Sequence, residues 1–300
     1  MCDDFSEADN AQWLAARRRL ADGLDRRQFG LAGASAAALT LFPGCASASN
    51  EVAELETRSR SVTITTPDGT ADAFFVHPAS GKHPAFVLWP DIAGLRDAYK
   101  VMGQRLAAAG YAVLVVNQYY RSAPAPILKD FAEWRTDAGQ EKLKPMIAAI
   151  TPAGTISDAG AFIDWLDRQA EVDTARKVGS SGYCMGGPFT IRTALARPER
   201  LGAIGSFHGA NMVNDTPDSP HRQFGRIRAA LLIAIAQNDD ARQPEAKDAL
   251  KTAAQAASLP AEIEVYPAQH GWCTIDSPVY DPVQAEKAWS RLLATCKAHL

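Results

Sequence analysis

Short apolar runs alternate with amphipathic segments along the chain from about residue 57. Ser61–Thr66 and Ala71–His77 are predicted to form two strands, because they flank a turn-forming Pro-Asp-Gly sequence. Ala85–Trp89 and Ala112–Val116 are continuously apolar, which is typical of strands buried on both faces of a sheet. Further strands are predicted at Lys177–Ser181, Leu201–Phe207, Ala229–Ala236 and Glu262–Tyr266.

Helices are predicted between these strands. Apolar residues recur at helical spacing from Leu95 to Ala109, and Gly110 follows as a stop signal. The capping pattern Thr155-x-x-Asp158 predicts the start of a second helix. Further helices are predicted from Pro244 to Ala257 and from the pair Asp281-Pro282 onward.

Strands that alternate with helices imply right-handed crossovers. The sequence therefore predicts an α/β fold, with a mainly parallel central sheet and helices on both faces. Residues 118–154 interrupt the alternation with scattered prolines and Trp134, and are predicted to form an active-site rim or lid. Because nothing repeats internally, residues 51–300 are predicted to form one domain.

Composition narrows the class of protein. Hydrophobic residues make up 47% of the chain, so a sizeable core can be buried. A formal net charge of −3, with no dense basic stretch outside the N-terminus, argues against a nucleic-acid partner. Five cysteines without a Cys-x-x-Cys pair or a His-Glu-x-x-His motif predict no metal site and no cofactor. A disulfide between Cys273 and Cys296 stays open.

Residues 1–50 are predicted to be a targeting segment and linker. The sequence Arg26-Arg27-x-Phe29 resembles a twin-arginine signal, so the export machinery is an expected partner and the periplasm the expected location. The apolar run at 29–42 is too short to span a bilayer, which needs about 20 residues.

Two processing events compete in this segment, and a cytoplasmic chain with an N-terminal extension is the alternative to export. The Ala-Ser-Ala sequence at 46–48 fits a cleavage site, whereas Cys45 could carry a lipid anchor. The oligomeric state is left open.

The sequence Gly-Tyr-Cys-Met-Gly-Gly at 182–187 lies between a predicted strand and an apolar helix. That context is typical of a nucleophile elbow, in which a Gly-x-Nuc-x-Gly turn raises a side chain above the sheet. Cys184 would be the nucleophile, and the positive end of the following helix would favour its thiolate. The alternative is a structural junction around an inert, buried cysteine.

The other parts of such a site follow in the expected order of nucleophile, acid and histidine. Asp239 and Asp240 come after the predicted strand Ala229–Ala236, and His270 comes after Glu262–Tyr266. Because the carboxyl ends of parallel strands meet at one edge of the sheet, these side chains are expected to meet Cys184. The spacing alone leaves both aspartates open.

These motifs resemble the dienelactone hydrolase family of α/β hydrolases over about residues 58–298. The resemblance also covers the stretches at 89–95, 110–114 and 270–271. The family uses a Cys–Asp–His triad, which the resemblance carries onto Cys184, Asp239 and His270. It favours Asp239 over Asp240 because the family's acid lies a few residues before a helix.

The resemblance implies roles for further residues. The backbone N–H groups of Ile92 and Met185 would form the oxyanion hole. Asp91 occupies the position of a glutamate that contacts the nucleophile in the family's founding members, and its shorter side chain leaves that role open. Asp91 is also expected to contribute to substrate binding. Arg121 matches an arginine that binds a substrate carboxylate. His208, at the end of a predicted strand, would contact substrate or serve as a structural histidine.

The predicted activity is hydrolysis of a carboxylic ester or lactone, a small-molecule substrate, through a thioester on Cys184. Two alternatives remain open from sequence. One is a catalytically silent small-molecule-binding protein on the same fold. The other is a thiol redox protein that uses Cys184, with Cys273 as its resolving thiol.

Overall fold

A computed structural model of the protein describes Asn10, Gln12, Leu14, Ala15 and residues 54–300. The predicted twin-arginine motif, the apolar run after it and both processing sites lie outside the described residues. The targeting segment therefore stays a prediction.

Eight strands form one sheet at the centre of the described residues. They are β1 (Thr57–Thr66), β2 (Gly69–Pro78), β3 (Ala85–Trp89), β4 (Ala112–Val116), β5 (Val178–Tyr183), β6 (Leu201–Phe207), β7 (Ala230–Ala236) and β8 (Ala261–Tyr266). Their order is β1-β2-β4-β3-β5-β6-β7-β8. The hairpin β1–β2 and the pair β2–β4 are antiparallel, and every other pair is parallel. The predicted mainly parallel sheet is confirmed.

Helices cover both faces of this sheet. They are α1 (Asp97–Ala108), α2 (Phe131–Trp134), α3 (Asp137–Ala148), α4 (Pro152–Leu166), α5 (Gly187–Ala196), α6 (Gln237–Arg242), α7 (Ala246–Ala256) and α8 (Pro282–His299). Apolar side chains of α4, α5 and α7 join one core cluster, and those of α1 and α8 join another. The strands β3 and β4 are buried along their whole length because they lie between these two layers.

Two helix boundaries differ from the prediction. The start of α4 lies at Pro152, where Thr151 accepts the N–H of Gly154, so the predicted cap at Thr155 is wrong. Proline suits the first helical position because it has no N–H to leave unpaired, and Thr151 therefore caps the helix one turn earlier. The predicted helix from Pro244 to Ala257 is also wrong at its start, because Pro244 separates α6 from α7.

Residues 118–154 fold against the sheet edge that carries the predicted site. Leu128, Phe131 and Trp134 belong to a third core cluster, which also contains Ile92 and Cys184. This position is the one expected of an active-site rim. The C-terminal part of this segment is helical and contains α2, α3 and the first residues of α4.

Within the part of the chain that the structure describes, no single helix is long and apolar enough to cross a membrane. Taken together, α3 and α4 meet the length and composition criteria for a membrane span, but the two helices are bent by 84° relative to each other.

Candidate active site

Cys184 lies at the turn between β5 and α5, with a left-handed backbone φ of 52°. The turn requires glycine on both sides of this residue. A Cβ on Gly182 would lie 2.0 Å from the carbonyl oxygen of Gly186, and a Cβ on Gly186 would lie 2.6 Å from those of Trp89 and Pro90. These close approaches press the turn against the end of β3, as expected of a nucleophile elbow.

The backbone of Cys184 is held on both sides. Its N–H donates to Nδ1 of His208 at 3.1 Å, and its carbonyl accepts the N–H of Ala210 at 3.0 Å. The sulfur is bonded in a disulfide, whereas Cys273 and Cys296 are free, buried thiols. The open question of a Cys273–Cys296 bridge is therefore answered: the structure does not form it.

His208 lies behind the elbow and is almost fully buried. Burial, and after it the neighbouring His270 at 4.9 Å between ring centroids, holds the pKa of His208 well below its ordinary value. The ring is therefore neutral, and because Nδ1 accepts from Cys184 we assign its proton to Nε2. Of the two roles considered from sequence, the observed contact supports the structural one.

His270 and Asp239 approach each other at the ends of β8 and β7. Nδ1 of His270 lies 2.6 Å from Oδ2 of Asp239, and the N–H of His270 donates to Oδ1 of Asn238 at 2.8 Å. Asp240 instead accepts from Nζ of Lys247 at 2.7 Å. Of the two aspartates that the spacing left open, Asp239 is the one against the imidazole.

A residue from the N-terminal region also reaches this loop. The side-chain amide of Asn10 donates to the carbonyl oxygen of His270 at 3.1 Å, although 260 residues separate them. Asn10 is 5% exposed, so the contact is sequestered from solvent. Nothing in the sequence pattern around Asn10 indicated this proximity.

The predicted oxyanion-hole residue Ile92 lies in a loop fixed by polar side chains. Gln118 donates to the carbonyl of Asp91 at 2.7 Å, and the hydroxyl of Tyr119 donates to that of Ile92 at 2.7 Å. The Asp91 carbonyl and the Ile92 N–H belong to one planar trans peptide and point in opposite directions. Fixing the carbonyl with Gln118 therefore sets the direction of the Ile92 N–H. Ile92, Cys184 and Met185 share one apolar cluster.

The side chain of Asp91 is bound within the same loop. Its two carboxylate oxygens accept from the guanidinium of Arg96 at 2.7 and 3.0 Å, and Oδ1 also accepts the N–H of Ala93 at 2.9 Å. This pairing differs from a contact with the nucleophile or with substrate, the roles considered for this position from sequence.

Arg121 is engaged away from the elbow. Its guanidinium donates to Asp158 at 2.7 and 2.9 Å and also binds Asp68. Burial opposes the charge, but these hydrogen bonds outweigh it and raise the pKa of Arg121 above its ordinary value. The structure does not bring Arg121 into contact with Cys184, Asp239 or His270.

A cavity of about 190 Å³ opens beside Asp239 and His270. Met212, Gln243 and Lys247 contribute to its lining, which combines apolar and charged groups. Sequence analysis singled out none of these three, because each belongs to a different segment and no motif joins them. In the described residues, no group of three or more His, Cys, Asp or Glu side chains could hold a metal ion.

Comparison with known proteins gives one family. The model of the dienelactone hydrolase family matches residues 71–300. A Methylorubrum extorquens protein named "Putative carboxymethylenebutenolidase" is 26% identical over 237 residues, covering 77% of this chain and 78% of the relative. A Bradyrhizobium protein named "Probable 2-oxo-3-(5-oxofuran-2-ylidene)propanoate lactonase" is 23% identical, covering 76% of this chain and 89% of that protein.

Among solved structures, the "Putative Dienelactone Hydrolase" of Klebsiella pneumoniae subsp. pneumoniae superposes with a TM-score of 0.70 at 22% identity. The match covers 81% of this chain and 99% of the other. At that identity, the likeness establishes a shared fold.

Proposed function

This chain belongs to the dienelactone hydrolase family and is a lactone or ester hydrolase, and we propose that it acts through Cys184, His270 and Asp239. The observation that carries the proposal is the 2.6 Å contact between His270 and Asp239 beside a glycine-flanked elbow that holds Cys184. A carboxylate in this position places the imidazole proton on Nδ1, so that Nε2 is the nitrogen that can accept a proton.

In the proposed reaction, the reduced thiol of Cys184 gives its proton to His270 and attacks the substrate carbonyl. The N–H groups of Ile92 and Met185 stabilise the oxyanion. Collapse of the tetrahedral intermediate expels the alkoxide or enolate, which takes the proton from His270, and leaves a thioester. Water, deprotonated by His270, then hydrolyses the thioester and restores the thiol.

The substrate class follows from this chemistry and from the relatives. A thiolate displaces an enol or phenol more readily than an amide nitrogen, which favours esters and lactones over peptides. The Bradyrhizobium relative is named for a lactone that bears a carboxylate. We therefore propose a carboxylate-bearing lactone or ester as the substrate. In this proposal the substrate carboxylate displaces Asp68 or Asp158 from the guanidinium of Arg121 and binds there.

The test is steady-state hydrolysis of a panel of lactones and aryl esters by the reduced protein. Cys184→Ala should abolish turnover while the melting temperature changes little. Cys273→Ala is the matched control, because Cys273 is also buried but lies outside the proposed chemistry. Near-normal turnover by Cys184→Ala would overturn the mechanism.

Thiol redox chemistry is the second candidate, because the Cys184 sulfur is disulfide-bonded. Cys273 is poorly suited as the resolving thiol, since burial raises its pKa well above the ordinary value and disfavours the thiolate. Reduction of peroxide by the protein, with dithiothreitol as electron donor and without ester turnover, would favour this second function.

We also propose export through the twin-arginine machinery, on the sequence Arg26-Arg27-x-Phe29. Replacing both arginines with lysine should retain the protein in the cytoplasm. Cell fractionation that finds the unaltered protein in the cytoplasm at full length would contradict the proposal, and lipid labelling with and without Cys45 distinguishes an anchored product from a free one.

A further inference from the structure

Arg96 is the only fully buried guanidinium in the described part of the chain, and it lies between two segments of the proposed active site. Its side chain has no exposed surface. One partner, Asp91, precedes Ile92 of the proposed oxyanion hole. The other, Asp276, lies six residues after His270.

Both partners are held by two hydrogen bonds each. Toward Asp91, the two terminal nitrogens of Arg96 donate at 2.7 and 3.0 Å. Toward Asp276, Nε and Nη2 donate at 2.7 Å each. Nη1 also donates to the carbonyl of Gly94 at 3.1 Å. Two carboxylates thus share one planar cation. A lysine would supply the same charge but could not bind both carboxylates in this fork geometry.

The surrounding residues strengthen the connection. The hydroxyl of Tyr99 accepts the N–H of Asp91 at 3.0 Å and lies 3.3 Å from the hydroxyl of Thr274. Asp276 also accepts the N–H of Phe131, at the start of α2 in the rim. The oxyanion loop, the segment after His270 and the rim therefore meet at one buried charge cluster.

We propose that Arg96 is a positioning residue, which holds the Asp91–Ile92 peptide in register with the segment that carries His270. The inference rests on the proposed function, because it assigns Ile92 to the oxyanion hole. Arg96 does not touch the reacting atoms. It acts through Asp91, whose carbonyl and side chain fix the peptide that contains the Ile92 N–H.

The test compares reduced wild type with Arg96→Lys and with Arg105→Lys. Arg105 is the matched control because it lies on α1, which begins directly after Arg96, and its guanidinium binds the carboxylate of Glu286 through two hydrogen bonds, but at the surface. Arg96→Lys should lower kcat by about 10- to 100-fold, since an oxyanion donor displaced by about 1 Å costs up to about 100-fold. KM should change less than kcat, because the donor acts on the transition state. Arg105→Lys should behave as wild type.

Two further measurements separate positioning from general damage. The rate at which iodoacetamide alkylates reduced Cys184 should be nearly unchanged in Arg96→Lys, because displacement at a saturated carbon forms no oxyanion. Hydrogen–deuterium exchange should rise together in the segments 91–95 and 271–277. Asp276→Asn, which replaces a partly exposed side chain, should give a smaller form of the same pattern if Arg96→Lys does not fold.

Turnover by Arg96→Lys within twofold of wild type would overturn the inference, as would exchange that rises in neither segment. An alkylation rate that falls in parallel with kcat would also overturn it, because the effect would then act through the nucleophile. Absence of turnover in the wild type would refute the proposed function instead, and hydrogen exchange alone would then decide whether Arg96 holds the two segments together.

Discussion

Replacing Asp239 with asparagine removes the carboxylate that lies 2.6 Å from Nδ1 of His270 and leaves a side chain of nearly the same shape. An asparagine can donate its N–H to Nδ1, which would hold the imidazole in the tautomer that cannot accept a proton from Cys184. The matched control is Asp240→Asn, which makes the same replacement of a carboxylate by an amide at the adjacent residue.

The two variants differ in what each carboxylate binds. A charge-assisted hydrogen bond contributes about 1.5–3 kcal/mol, which is about 10- to 150-fold in rate if it is lost in the transition state. Stabilisation of the wrong tautomer increases the loss, up to about 10,000-fold in the serine-protease triad. Asp240 pairs with Lys247 where both side chains are partly exposed and does not contact the imidazole, so its loss should change kcat little.

The assay is kcat for an activated aryl ester, measured with reduced protein at constant pH, together with thermal melts that confirm folding. Asp239→Asn should lose at least tenfold more than Asp240→Asn. Equal losses, or a greater loss at 240, would refute the assignment of the acid.

Three other predictions concern His208, the disulfide at Cys184 and Arg121. The folded-state pKa of His208 lies well below the 6.5 expected in the unfolded chain, so the unfolded state binds more protons, and the free energy of unfolding should fall below about pH 6.5 by up to about 1.4 kcal/mol per pH unit. Chemical denaturation at several pH values should give His208→Asn a weaker dependence of this free energy on pH, and an unchanged dependence would contradict the buried neutral ring. Because a disulfide cannot attack a carbonyl, ester hydrolysis should rise when dithiothreitol releases Cys184, and equal rates with and without reductant would contradict the thiol mechanism. Arg121→Ala should lower kcat/KM by about 10- to 150-fold for esters that bear a carboxylate, with partial recovery in Arg121→Lys, and equal losses on matched neutral esters would assign Arg121 to its ion pairs with Asp68 and Asp158.

The sheet could be predicted from sequence because burial on both faces imposes a simple pattern. Ala112–Val116 and Leu201–Phe207 have the predicted bounds, since each is a run of small or apolar residues between helical segments. The position of Cys184 followed from the glycine spacing, and that of His270 from the rule that strand ends meet at one edge.

Side-chain pairing could not be predicted in the same way. The spacing of the two aspartates could not separate them, and only the family resemblance favoured Asp239. In the structure Asp239 contacts His270, whereas Asp240 binds Lys247 of the next helix. Arg96 and Asp276 are 180 residues apart, and neither lies in a motif. Polar residues in loops are usually solvated, so only the folded chain shows that Arg96 is fully buried and paired with Asp276.

Within the site, sequence reasoning also missed Gln118. Its role depends on one hydrogen bond to the carbonyl of Asp91, which fixes the direction of the next N–H. The identity of that residue carries no catalytic signature, because an amide side chain suits many structural positions. The burial of His208 was equally hidden, since Phe-His-Gly at a strand end fits an exposed site as well as a buried one.

The most direct test of the central claim is to trap the acyl-enzyme. Reduced protein is mixed with a slowly deacylated aryl ester, quenched in acid during turnover, digested and analysed by mass spectrometry. The account predicts a mass increase equal to the acyl group on the peptide that contains Cys184, lost on treatment with hydroxylamine, and absent from the Cys184→Ala protein. Turnover with the acyl group on a different peptide, and none on the peptide that contains Cys184, would contradict the proposed mechanism. Continued turnover by the Cys184→Ala protein would contradict it as well.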